Sequence, residues 1–62
     1  MTYKIDKWDT EERKCVGDYG GGYTAEDVQA CIKGYKKDDL SDSYADVYTR
    51  KVSRYMFFVM PE

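Results

Sequence analysis

The first residues of the chain alternate between apolar and polar side chains. Tyr3 and Ile5 fall on one face and the polar residues between them fall on the other, which is the two-residue period of a half-buried strand. The polar stretch 9–12 predicts a turn. The short segment 13–16 then predicts a second strand, which returns as the other arm of a hairpin.

One helix is predicted, from about residue 25 to residue 37. Thr24 has the side chain of an N-cap, and Asp27 stands three residues on, where it completes a capping box. Four apolar side chains form a stripe at helical spacing: Val28, Cys31, Ile32 and Tyr35. The four glycines between positions 17 and 22 predict a loop before this helix, because glycine makes regular structure entropically costly.

The C-terminal third of the chain favours strand. Residues 44–52 also have helical spacing, but they are rich in strand-forming valine, tyrosine and threonine. The whole stretch 47–60 is long for one strand, so we expect a bend, a bulge or a split near 51–53. Residues 55–60 are apolar without interruption.

These elements predict a single α+β domain over 1–62, with a small antiparallel sheet in the order β-β-α-β packed against the helix at 25–37. The last strand is long and bent, or split in two. One helix covers one face of such a sheet, whereas Phe57 and Phe58 point to opposite faces. We therefore expect the second face to be an interface with an identical subunit or a target protein. The alternative is that the glycine-rich loop or Trp8 covers it within the chain.

Length and cysteine content narrow the ways in which the chain gains stability. A 62-residue chain buries only roughly 60% of its unfolded surface, and small domains often need a disulfide, a metal or a partner. With no histidine and two cysteines, the sequence predicts neither metal nor cofactor. Cys15 and Cys31 are interpreted as small buried apolar side chains, and a bridge between them is the open alternative. The mostly polar start favours a cytoplasmic protein with reduced thiols.

Charge and residue types disfavour two function classes. The net charge is −2, whereas nucleic-acid-binding domains are typically strongly basic. The absence of histidine and of a recognisable carboxylate pair disfavours an enzyme.

The first functional hypothesis is a protein-binding inhibitor or adaptor, expected to be a homodimer. Very short, tyrosine-rich, acidic chains are common among phage and mobile-element products that occupy a host enzyme or defence complex, and this chain has seven tyrosines. The predicted anchors for the partner are Tyr44, Tyr48, Arg54, Tyr55 and Phe57. The predicted acidic recognition surface comprises Asp38, Asp39, Asp42 and Asp46.

Two alternatives stay open. A glycine-rich loop that leads into a helix N-terminus exposes N–H groups, so it predicts a site for an anionic nucleotide at Gly20, Gly21, Gly22 and Thr24. Acidic residues in the first helical turn oppose that interpretation. The second alternative is single-stranded nucleic-acid binding through the basic-aromatic residues Arg50, Lys51, Arg54 and Tyr55.

Overall fold

The computed structural model describes residues 1–41 and 44–62, which form a small α+β fold that is mostly sheet. Its elements in chain order are β1 (Tyr3–Asp9), β2 (Lys14–Tyr23), α1 (Ala25–Cys31), β3 (Lys36–Lys37), β4 (Asp46–Thr49) and β5 (Tyr55–Pro61). The strands form one antiparallel sheet in the spatial order β2-β1-β5-β4-β3. The predicted class, one helix on a small antiparallel sheet, is confirmed at this level.

The core lies between α1 and one face of the sheet. Ile5 has no exposed surface and is paired directly with Val59 of β5. Phe57 of β5 and the helix residues Val28 and Ile32 complete the buried cluster. Ile5 faces the helix, so the predicted alternation of β1 is confirmed. The strands β1 and β5 are neighbours in the interior of the sheet.

The helix begins where the sequence predicts and ends earlier. Asp27 N–H donates to Thr24 Oγ1 at 3.2 Å, and Thr24 N–H donates to Asp27 Oδ2 at 3.0 Å, so the capping box is confirmed. The predicted end at residue 37 is wrong, since α1 stops at Cys31. Gly34 adopts a φ of +87°, a left-handed conformation that stops a helix at low cost only for glycine.

The glycine-rich segment 17–22 is part of a strand, so the predicted loop is wrong. The strand β2 runs from Lys14 to Tyr23 and pairs with β1 through three register shifts. Gly20 and Gly22 take φ values of +74° and +85°, which glycine tolerates. The glycines therefore allow an irregular, bulged strand to continue, and the second strand is much longer than the predicted 13–16.

The predicted long strand at 47–60 is divided into β4 and β5. Between them, Ser53 N–H donates to the carbonyl of Arg50 at 3.0 Å and closes a turn. Residues 46–49 are strand, which resolves the ambiguity between helix and strand at 44–52. The observed order differs from β-β-α-β in one further respect, because the two-residue strand β3 pairs with β4 at the sheet edge.

Candidate functional site

The sheet has one face without a helix on it. Phe57 and Val59 face α1, so the residues that alternate with them along β5 face the other way. The pairing register extends this second face to the neighbouring strands. We call it the open face; it comprises Lys4, Asp6 and Trp8 of β1, Met56, Phe58 and Met60 of β5, and Val47 and Thr49 of β4. Within residues 1–41 and 44–62 there is one helix, and it lies on the opposite face.

Four large apolar side chains of the open face remain half-buried, and we call them the apolar stripe: Trp8, Met56, Phe58 and Met60. Trp8 of β1 stands opposite Met56 of β5, so the stripe crosses from one central strand to the other. Val47 stands opposite Phe58 on the same face, but it is 4% exposed and so adds no accessible apolar surface on β4. Aromatic and methionine side chains with charged neighbours at their margin are the composition of protein interface cores.

Phe57 and Tyr48, two of the predicted anchors, face the helix. Phe57 is 6% exposed, and its ring meets that of Tyr35 edge-on at 5.0 Å between centroids. Tyr48 packs against the same core cluster. Burial removes Phe57 from any docking surface of the folded chain, whereas its neighbour Phe58 lies on the open face. The uninterrupted apolar run at 55–60 hides this difference in the sequence.

The other two predicted tyrosines lie apart from each other. Tyr44 is 82% exposed, just before β4. Tyr55 is paired with Asp9 on the helix side, and the Nζ of Lys7 lies 4.1 Å from the centroid of its ring. The predicted tyrosine anchors therefore do not share one surface.

Arg54 forms ion pairs with two acidic residues of the same chain. Its Nη2 and Nε donate to Asp9 Oδ2 at 2.6 and 3.0 Å, and its Nη1 lies 3.1 Å from Glu11. Asp9 is 1% exposed, and its Oδ1 accepts the backbone N–H groups of Glu11 and Glu12. The Arg54 hydrogen bond lowers the pKa of Asp9, although burial opposes this shift. Arg54 therefore already has a partner within the chain. Asp9, predicted to lie in a polar turn, is a buried residue at the end of β1.

The described residues of the predicted acidic surface make different local contacts. Asp38 accepts hydrogen bonds from Leu40 N–H and Thr49 Oγ1, both at 3.0 Å, so it fixes the connection from β3 to β4. Asp46 forms an ion pair with Lys37 at 3.3 Å, and Asp39 is exposed. Asp42 lies outside the described residues.

The predicted anion site at the glycine-rich segment is filled from within the chain. Gly22 N–H donates to Glu62 Oε1, and the Glu62 carboxylate lies directly against Gly21. The hydroxyl of Thr24 is used in the capping box. The segment thus binds the carboxylate of Glu62, a contact that no local pattern in the sequence predicts.

Basic residues line a groove at the end of the β3–β4 strand pair. Its volume is about 510 Å³, and it is lined by Gly34, Lys36, Thr49, Arg50, Lys51 and Val52. It contains Arg50 and Lys51, two of the four residues predicted to bind single-stranded nucleic acid. The other two, Arg54 and Tyr55, are engaged with Asp9 and Lys7 instead.

Among the described residues, the thiols and metal-ligating side chains form no further site. Cys15 is exposed and Cys31 is half-buried, and both are free, so the interpretation of Cys15 as buried is wrong. Burial raises the pKa of the Cys31 thiol. Within the part of the chain that the structure describes, no three metal-ligating side chains come together. Among the same residues, no helix has the length and apolar character to cross a membrane.

Comparison with profiles of known protein families, with curated proteins and with solved structures found no match. What the chain does is therefore inferred from the placement of its side chains. The open face offers an apolar surface whose members share one side of two neighbouring strands.

Proposed function

We propose that this chain is a non-catalytic protein-binding module that docks onto a protein partner through the apolar stripe. The observation that carries the proposal is the position of Phe58 and its three stripe neighbours on the face opposite α1. As an inhibitor or adaptor, the chain would act by occupying a surface of that partner.

The free energy for docking would come from burying the apolar side chains of the open face that remain partly exposed to water. Burying a phenylalanine side chain completely is worth about 1.5–3 kcal/mol relative to full exposure, so completing the burial of Phe58 contributes part of that. Met56 and Met60 add flexible side chains that adapt to an opposing surface. A strand that is apolar on both sides, as β5 is, is typical of sheets covered on both faces.

Docking through the sheet edge is less well supported than docking through the open face. The strand β2 is one edge of the sheet, and its pairing with β1 is interrupted by three register shifts. Bulges twist an edge strand away from regular pairing and are a common protection against added strands. The partner is therefore expected on the open face rather than beside β2.

Substituting Phe58 tests the proposal. Phe58→Thr removes the ring from the open face and keeps a strand-forming residue, so we expect the chain to fold and to lose capture of its partner by about tenfold or more. The measurement is quantitative affinity capture from cells that produce the tagged chain. Gln29→Ala, an exposed change on α1, is the matched control and should retain the captured protein.

Three results would oppose this assignment. Equal capture by the wild type and Phe58→Thr would show that the partner binds elsewhere. Equal loss in Phe58→Thr and Gln29→Ala would show a nonspecific effect. The third result is dimerisation, measured by sedimentation of the purified chain across a concentration series. A dimer that depends on Phe58 would show that a second copy covers the open face, as the homodimer hypothesis predicts.

A further inference from the structure

The groove lined by Lys36, Arg50 and Lys51, called the basic groove, is formed by the pairing of β3 with β4. Lys36 in β3 stands directly opposite Thr49 in β4, so the residues before Lys36 and after Thr49 meet at one end of the strand pair. Gly34 has a left-handed backbone, and a side chain there would come 3.6 Å from Nη1 of Arg50. The Arg50 guanidinium therefore lies beside the glycine turn that follows α1.

Three cations line this groove, and none of them forms an ion pair with a described carboxylate. Within residues 1–41 and 44–62, no ion pair involves Lys36, Arg50 or Lys51, and all three are exposed. By contrast, Lys37 pairs with Asp46, and Arg54 pairs with Asp9. Like charges at one end of a strand pair repel each other, and a bound anionic group relieves that repulsion.

The groove is the positive exception on an acidic protein. The chain has 10 basic and 12 acidic residues. Without the three groove cations, seven basic residues remain against twelve acidic ones, so the rest of the chain carries a net negative charge. One described carboxylate, that of Asp38, accepts a hydrogen bond from Thr49 Oγ1 and so lies beside the groove. A long polyanion would be repelled by this surrounding charge, whereas a short anionic segment would not.

The groove adjoins the apolar stripe. In the register, Lys36 is opposite Thr49, Thr49 is opposite Met56, and Met56 is opposite Trp8. These four residues form one row that continues the open face onto β3, with a cation at one end and aromatic and apolar side chains at the other. A partner that covers the stripe therefore extends over the groove at its margin, where interfaces are polar.

We infer that the groove binds a carboxylate-rich segment of the protein partner, next to the apolar contact on the stripe. This inference rests on the proposed function, because it specifies the charge of the partner's docking surface. The exposed side chain of Val52, 83% accessible, adds an apolar contact within the groove. Nucleic acid is the less favoured occupant, since its binding depends on neutralising several successive phosphates and the remaining surface is acidic.

Fluorescence anisotropy with defined probes tests the inference on the full chain. The probe is a labelled decapeptide of glutamates with one central leucine, and the comparison probes are its glutamine analogue and a ten-nucleotide oligothymidine. At low ionic strength we expect the acidic peptide to bind and the glutamine peptide not to bind. Arg50→Glu/Lys51→Glu should weaken acidic-peptide binding about tenfold or more.

Matched variants make the outcome decisive. Arg13→Glu/Lys14→Glu changes the net charge by the same amount at the start of β2, at the opposite edge of the sheet from the groove, and should bind like the wild type. Arg50→Gln/Lys51→Gln removes the cations without adding repulsion, so it serves if the glutamate variant does not fold. Equal binding by groove and control variants, no binding of the acidic peptide, or tighter binding of oligothymidine would each overturn the inference.

Phe58→Thr separates this inference from the proposed function. The variant leaves the groove intact, so it should bind the acidic peptide like the wild type while losing the captured protein. Peptide binding that fails while Phe58-dependent capture persists would overturn the groove assignment alone. Peptide binding that persists while capture is independent of Phe58 would overturn the proposed function alone.

Discussion

Phe57→Ala is expected to unfold most of the protein at room temperature, whereas Phe58→Ala is expected to leave it folded. Phe57 is 6% exposed and contacts the core cluster under α1. Truncating a buried phenylalanine costs about 3–5 kcal/mol, which is comparable to the roughly 5 kcal/mol that stabilises a small domain. Phe58 is half-buried, so its truncation removes fewer contacts within the chain.

Circular dichroism with urea titration distinguishes the two variants. We expect no folded baseline for Phe57→Ala, and a cooperative transition at a modestly lower urea midpoint for Phe58→Ala. Phe57→Leu keeps most of the buried volume and should restore a measurable transition. Similar losses for Phe57→Ala and Phe58→Ala would show that the open face is as well packed within the chain as the helix side.

Arg54→Gln is expected to cause the second largest loss of stability, and the loss should depend on pH. Arg54 is the counter-charge of Asp9, whose carboxylate is 1% exposed. Although the Arg54 side chain is 42% exposed, removing it leaves the buried carboxylate of Asp9 without its counter-charge. The variant should therefore melt well below the wild type at neutral pH.

The sign of the pH effect follows from the lowered pKa of Asp9, which is caused chiefly by Arg54. A carboxyl group whose pKa is lowered on folding contributes stability above its unfolded pKa, near 3.9, and loses that contribution as the pH falls through the folded value. The melting temperatures of the wild type and Arg54→Gln should therefore converge in acid below about pH 4.

Lys14→Gln provides the matched control for Arg54→Gln. Lys14 pairs with Glu12 at 3.3 Å, but its side chain is 64% exposed, so the pair is worth little. We expect an almost unchanged melting temperature at every pH. A constant difference between the wild type and Arg54→Gln from neutral pH to acid would contradict the role of Asp9.

Local sequence patterns predicted the parts of the fold that depend on near neighbours. The alternation around Ile5 and the capping box of Thr24 and Asp27 are formed by residues within four positions of one another, and both are confirmed. The end of the helix was missed, because Gly34 is tolerated inside a helix at a cost of about 1 kcal/mol and also serves as a terminator. Pairing of Lys36 with Thr49, thirteen residues away, favours termination.

The candidate site needed contacts between distant parts of the chain. The run at 55–60 is apolar at every position, so its two-residue period is invisible, and only pairing of β5 with β1 separates Phe57 from Phe58. Asp9 and Arg54 are 45 positions apart in sequence. Asp9 does continue the alternation of Tyr3 and Ile5 toward the helix side, and that pattern could have indicated its burial.

Docking of a different protein on the open face is tested most directly by site-specific photo-crosslinking in cells that produce the chain. A photoreactive benzoylphenylalanine replaces Phe58 in one variant and Gln29, on the exposed side of α1, in the other. The predicted result is a discrete adduct with a different protein from position 58 and none from position 29. No adduct from position 58, an adduct of twice the mass of the chain, or equal adducts from both positions would contradict it.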